Sequence, residues 1–165
     1  AVERIGAGTG LENESWEQLF NRLMITFVEP NLPKDSPTVL YDYPAQIPAL
    51  AKAHRSGPWL ERWELYAGGI ELANCYSEET DERRIRDFFE REYAAKAAES
   101  PVVPDIDEEF LEMFGPAGKE RMAGAGRFPE CSGTALGVDR LIMLISGADS
   151  LEGVILFPFS DILRF

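Results

Sequence analysis

Histidine and cysteine are almost missing from this sequence. The single histidine, His54, and the two cysteines, Cys75 and Cys131, form no metal-ligand spacing and no disulfide framework, which suits free thiols in a reducing cytoplasm. His54 lies between AKA and RSGP and reads as a surface residue rather than a catalyst. No apolar run approaches the ~20 residues that span a bilayer, and no signal-peptide pattern opens the chain, so a cytoplasmic protein with no membrane partner is expected. Basic residues are also short. Sixteen Lys and Arg stand against 29 Asp and Glu, a formal net charge of −13. Phosphate neutralisation dominates nucleic-acid affinity, so this balance argues against a large tRNA footprint, although a local basic patch remains compatible with it.

What remains is the composition of a globular domain. At 165 residues, 45% hydrophobic and 27% charged, the chain is one domain's worth with a real core. Residues 1–15 are Gly-rich and polar and read as a loop cut from something larger. Ser15 and Gln18 make a capping box, and Trp16, Leu19, Phe20, Leu23 and Phe27 follow at helical spacing, predicting a helix from Trp16 to Val28 with a core-facing stripe. Thr38–Tyr43 reads as a strand ending at Pro44, and Gln46–Ala53 as a loop or short helix. After Asp81, Ile85, Phe88 and Phe89 fall on one side of a charged helix running to about Ala98. Ser100–Pro104 breaks it, Asp107–Phe114 is a short acidic helix, and Gly115–Gly126 is a Gly-rich loop holding Lys119 and Arg121. Val154–Phe157 reads as a buried strand.

The chain is organised around Glu61–Asp81, ERWELYAGGIELANCYSEETD. Two β-prone runs flank Gly68-Gly69, a strong signal for a hairpin with a two-residue loop. In that register Tyr66 opposes Glu71 and Glu64 opposes Ala73. Glu64 and Glu71 are then diagonal neighbours on one face, roughly 7–8 Å apart at the backbone. Two carboxylates so placed can converge on Mg²⁺ when phosphates complete its shell. A three-residue loop would put them on opposite faces, and the plain alternative is two solvated glutamates on an open sheet face. Asn74 and Glu78 follow, an amide and a charge suited to an amine-bearing substrate, or else a strand exit into a helix cap. Strict alternation turns Asn74 away from the Glu71 face unless a bulge or strand end lies near Ala73.

The last segment, CSGTALGVDRLIMLISGADSLEGVILFP, places glycines where a backbone can pass close to a ligand. A helix is predicted from Val138 to Gly147, with Leu141, Ile142, Leu144 and Ile145 facing inward. Arg140 falls in its first turn, where free N–H groups favour anions and a planar guanidinium fork can grip phosphate. The alternative is an ion pair with a nearby acid such as Asp139.

Taken together, ERWELYAGGIELANCYSEETD and GTALGVDRLIML resemble the C-terminal half of the catalytic domain of class II lysyl-tRNA synthetases. More closely, they resemble the family's shortened paralogues, ligases that attach (R)-β-lysine to elongation factor P. The resemblance includes FVEPNL and the Tyr-Pro-Ala step at Tyr43, and Gly-x-Ala-Leu-Gly-Val-Asp-Arg resembles the family's motif 3. It implies an α+β fold, a mostly antiparallel sheet flanked by helices, and an ATP- and Mg²⁺-dependent ligase. Carried over by position, Glu64 and Glu71 would hold Mg²⁺ against the ATP phosphates. Arg140 would clamp the terminal phosphates as the catalytic cation, and Leu72 and Gly137 would lie with Glu71 against the nucleotide. Asn74 and Glu78 would recognise lysine or (R)-β-lysine, with Glu78 pairing the side-chain ammonium.

Two departures shape the expectation. Ala135 stands where the tRNA-charging enzymes carry Gly, which favours the paralogue, although one methyl gives modest discrimination alone. Nothing resembles motifs 1 or 2, so the chain is expected to be the C-terminal portion of a longer catalytic domain, inactive by itself. The family implies a homodimer for that longer parent. The rival expectations are a lysyl-tRNA synthetase and a non-catalytic synthetase-like binding protein.

Overall fold

The computed structural model describes residues 13–116 and 128–162. The Gly-rich start up to residue 12 and the Lys119/Arg121 loop lie outside the described residues. The elements in order are helix α1 (Trp16–Leu23), strands β1 (Thr38–Pro44), β2 (Trp59–Ala67) and β3 (Ile70–Ser77), helices α2 (Glu82–Glu99) and α3 (Glu108–Glu112), strand β4 (Ser132–Leu136) and helices α4 (Val138–Ser146) and α5 (Phe159–Ile162). The strands form one antiparallel sheet in the order β1-β2-β3-β4, so the α+β expectation holds.

Local chemistry explains most element boundaries. Gly68 and Gly69 have φ of 63° and 83°, the left-handed pair that a tight two-residue hairpin loop demands, so β2 ends at Ala67 and β3 begins at Ile70 as expected. Asp81 caps α2 by accepting from the N–H groups of Arg83 and Arg84. Gly147, at φ 69°, closes α4 in the left-handed conformation that ends many helices. Within β1, Asp42 sits at φ 60°, a backbone state that Asp tolerates better than most side chains.

The register of β3 against β4 is regular. Gly137 N–H donates to the Leu72 carbonyl at 2.8 Å, and Glu78 N–H donates to the Cys131 carbonyl at 2.9 Å. Six residues on each strand separate these bonds, so no net bulge intervenes. Asn74 therefore opposes Ala135, and Tyr76 opposes Gly133. A bulge that turned Glu71 onto the Asn74 face would have to lie at Glu71–Leu72, ahead of the β4 pairing.

Contacts divide the chain into two compact units, Ala1–Tyr41 with Trp63–Cys75 and Thr134–Phe165, and Asp42–Arg62 with Tyr76–Gly133. The second unit holds a core of Ile85, Leu111 and Phe114, packed by Leu50, Phe89, Ile106, Phe110, Met113 and Phe128. Their rings meet mostly edge to face, Phe89 on Phe110 at 5.8 Å and Phe110 on Phe114 at 5.2 Å. Arg86 forks onto Glu108 at 2.9 and 3.1 Å, tying α2 to the first turn of α3. Residues 46–53, expected as a loop or short helix, form a loop with isolated bridge pairings at Ala51 and Ala53. Lys52 N–H donates to the Ser77 carbonyl, and Glu61 N–H donates to the Lys52 carbonyl. Ala51 bridges Glu78, and Ala53 bridges Leu60.

The first unit corrects three expectations. The predicted Trp16–Val28 helix is α-helical only to Leu23 and then widens into a π-turn over Met24–Val28. Its apolar stripe is not core: none of its residues is buried, and Trp16 lies exposed, stacked on Phe20. The predicted inward face of α4 is also open, Ile145 being 77% exposed. Val154–Phe157 is not a strand, and Leu156 and Phe157 are 89% and 85% exposed. The physical reason is common to all three. Hydrophobic period identifies which residues share a face, but burial also needs a partner surface, and these faces stay largely exposed among the described residues.

Candidate functional site

In the first unit the carboxylates come from the hairpin and the cation from α4. Glu64, on β2, is a buried carboxylate, 8% exposed. Burying a charge is costly unless it is paired or hydrogen-bonded. Tyr66, two residues along the same strand and itself buried, donates from its hydroxyl to Glu64 Oε2 at 2.7 Å. Sequence reasoning missed Tyr66, although the two-residue spacing that puts it on the Glu64 face was the available signal.

Glu71 lies on β3, one residue past the strand start. Its carbonyl accepts from Arg140 Nη1 at 2.9 Å, and its Oε2 lies 3.6 Å from the same nitrogen. The arginine is thus paired with Glu71 rather than with Asp139, the sequence neighbour considered for it. Gly137 precedes α4 and is anchored to Leu72, and a Cβ at this position would meet the Arg140 stem at 3.3 Å. The glycine leaves room for the arginine to fold back toward β3. Arg140 remains half exposed in the first turn of a nine-residue helix, where backbone N–H groups lack intrahelical acceptors. Leu72 is buried beside these groups, and Asn74 and Ala135 follow as a cross-strand pair.

The carboxylate oxygens of Glu64 and Glu71 are of the donor type that a hard divalent cation takes. Among the described residues no group of three or more His, Cys, Asp or Glu side chains forms a metal shell by itself. Two carboxylates are what this chain would contribute.

In the second unit Glu78 follows β3 and is half-buried, and burial holds its carboxyl above the ordinary carboxylate value. Its carboxylate makes no ion pair or side-chain hydrogen bond among the described residues. It lies against Gly133, where a Cβ would overlap Oε1. Arg62 lies 4.6 Å over the Tyr43 ring and 6.0 Å from the Tyr76 ring, a cation–π arrangement beside the Tyr-Pro-Ala step. A separate cleft of about 780 Å³, lined by Ile47, Leu50, Ala51, Leu60, Arg84 and Phe88, contains none of the candidate residues.

The chain belongs to the class II tRNA synthetases (D, K and N): the family's model matches residues 21–161. Within that class it is similar to proteins named elongation factor P–(R)-β-lysine ligase. That of Salmonella gallinarum is 40% identical over 162 residues, covering 95% of this chain and 46% of the relative. Those of Salmonella paratyphi B and Salmonella heidelberg are each 40% identical over 148 residues, covering 87% of this chain and 42% of the relative. The chain therefore spans under half the length of these relatives. No helix among the described residues is long and apolar enough to cross a membrane.

Proposed function

We propose that this chain is the C-terminal, motif 3-bearing portion of a ligase that activates (R)-β-lysine with ATP and transfers it to a lysine of elongation factor P. The observation that carries the reading is the tether between Arg140 and Glu71, which aims a forked cation from motif 3 over a carboxylate-bearing strand. The likeness to the named ligases along 95% of the chain supports the substrate and acceptor.

In the first step a carboxylate oxygen of the amino acid attacks the α-phosphorus of ATP, and pyrophosphate leaves. In the second, the acceptor amine attacks the adenylate's carbonyl carbon, and AMP leaves. No residue of this chain acts as nucleophile, so its contribution is positioning and charge stabilisation. Arg140 neutralises charge on the leaving pyrophosphate. Glu64, held by Tyr66, and Glu71 are the residues that would hold Mg²⁺, which when bound offsets phosphate charge. Leu72 and Gly137, joined by their backbone hydrogen bond, lie against the nucleotide. Glu78 pairs the substrate's side-chain ammonium, Asn74 orients its polar groups, and Ala135 narrows the pocket against α-lysine. The parent is read as a cytoplasmic homodimer.

A second reading, a lysyl-tRNA synthetase, is favoured by the family's description as tRNA synthetases. The net charge of −13 weighs against it, since a tRNA-binding surface needs clustered cations. The test is acyl transfer by the full-length enzyme. Labelled (R)-β-lysine should appear on elongation factor P and not on tRNA; labelling of tRNA alone would replace the proposal with the second reading.

A further inference from the structure

We propose that Gly133 is the positioning residue for Glu78: the side chain missing from β4 at this point is the space in which the Glu78 carboxylate lies. The inference deepens the reading of Glu78 as partner to a substrate ammonium and rests on it. A Cβ on Gly133 would overlap Glu78 Oε1 and come within 3.2 Å of Cδ and 3.7 Å of Cγ, so the glycine faces most of the glutamate's length. Backbone geometry does not call for glycine here. Gly133 is not among the residues at positive φ, and glycine inside a strand weakens it. Room for a neighbour is the remaining reason.

Glu78 needs such a seat. The Cys131 carbonyl holds its backbone N–H at 2.9 Å, fixing where the side chain starts. No ion pair or hydrogen bond among the described residues fixes where the carboxylate ends. Shape does it instead. Seated in this way, with Oε1 against the glycine, the carboxylate would meet a primary ammonium group.

The overlapping atom is the tip of a flexible side chain rather than backbone. An alanine at 133 is therefore expected to displace the carboxylate and spare the strand. The test is amino-acid-dependent ATP–pyrophosphate exchange by the full-length enzyme carrying Gly133→Ala, Glu78→Gln or both. Gly133→Ala should raise the KM for the amino acid about tenfold or more, as loss of a charge-assisted bond does, with the ATP KM and thermal midpoint unchanged. Added to Glu78→Gln it should cost little more, since both changes remove one interaction. Pairing it with Glu78→Asp, whose shorter arm clears the methyl, should recover part of the lost affinity.

If Glu78→Gln raises the amino-acid KM while Gly133→Ala does not, the seat is refuted and the ammonium assignment stands. If Glu78→Gln leaves that KM unchanged, the ammonium assignment falls and the inference with it. If Gly133→Ala fails to fold and Glu78→Asp does not rescue it, the glycine serves the strand and not Glu78.

Discussion

Arg140 Nη1 donates to the backbone carbonyl of Glu71 at 2.9 Å, while the carboxylate of the same residue stands 3.6 Å away, beyond hydrogen-bonding reach. One residue thus does two separable things. Its main chain accepts from the arginine, and its carboxylate stands within ion-pair range of the same guanidinium. On the proposed function, Glu71→Gln should leave the arginine in place and remove one charge from the proposed Mg²⁺ site. The expected outcome in the full-length enzyme is a higher Mg²⁺ concentration for half-maximal exchange with an unchanged amino-acid KM. A shift in the amino-acid KM alone would instead move Glu71 to the substrate.

Arg140→Lys keeps the charge and loses the planar fork. The ATP KM should rise, and kcat should fall by about tenfold or more if one charge-assisted bond is lost in the transition state. Wild-type ATP kinetics would remove Arg140 from the phosphates.

Tyr66→Phe deletes the hydroxyl that satisfies a buried carboxylate. The full-length protein should lose about 1–3 kcal/mol in urea unfolding, the usual cost of leaving a buried polar group short of a partner. A loss smaller than a few tenths would show that Glu64 draws its support from elsewhere.

Glu78 gives a pH signature. Because burial raises its pKa in the fold, the folded chain binds this proton more tightly than the unfolded chain. Stability is therefore unpenalised below the ordinary value of 4.5 and falls as pH rises through that value toward the raised one. Glu78→Gln should be more stable than the wild type at neutral pH, with the difference vanishing on acidification below that range. A difference independent of pH would assign the effect to packing.

The second unit's core is a separate matter of packing. Leu111 is fully buried, so Leu111→Ala should cost about 2–5 kcal/mol. Ile145→Ala, on the open face of α4, should be neutral within about 0.5 kcal/mol. Equal losses would mean that α4 is covered in solution.

These contrasts also show what could be read from residues alone. Gly68-Gly69, Asp81 and Gly147 act through their own backbone chemistry, so the hairpin and the helix ends were legible. The likeness carried by ELAN and GTALGVDR gave the family. Burial was not legible for Phe157 or Ile145, since it depends on what packs against them. Nor were the Ala51 and Ala53 bridges, because a proline-bearing run without alternation carries no strand period. Gly133 needed the β3–β4 register, which no local pattern encodes.

The central claim is that this chain helps activate a lysine-like substrate and prefers the β-isomer. ATP–pyrophosphate exchange by the full-length protein, comparing (R)-β-lysine with α-lysine, tests it most directly. Exchange that strongly prefers (R)-β-lysine is expected. A preference for α-lysine would contradict it in favour of a tRNA synthetase, and no exchange with either from a folded protein would contradict activation altogether.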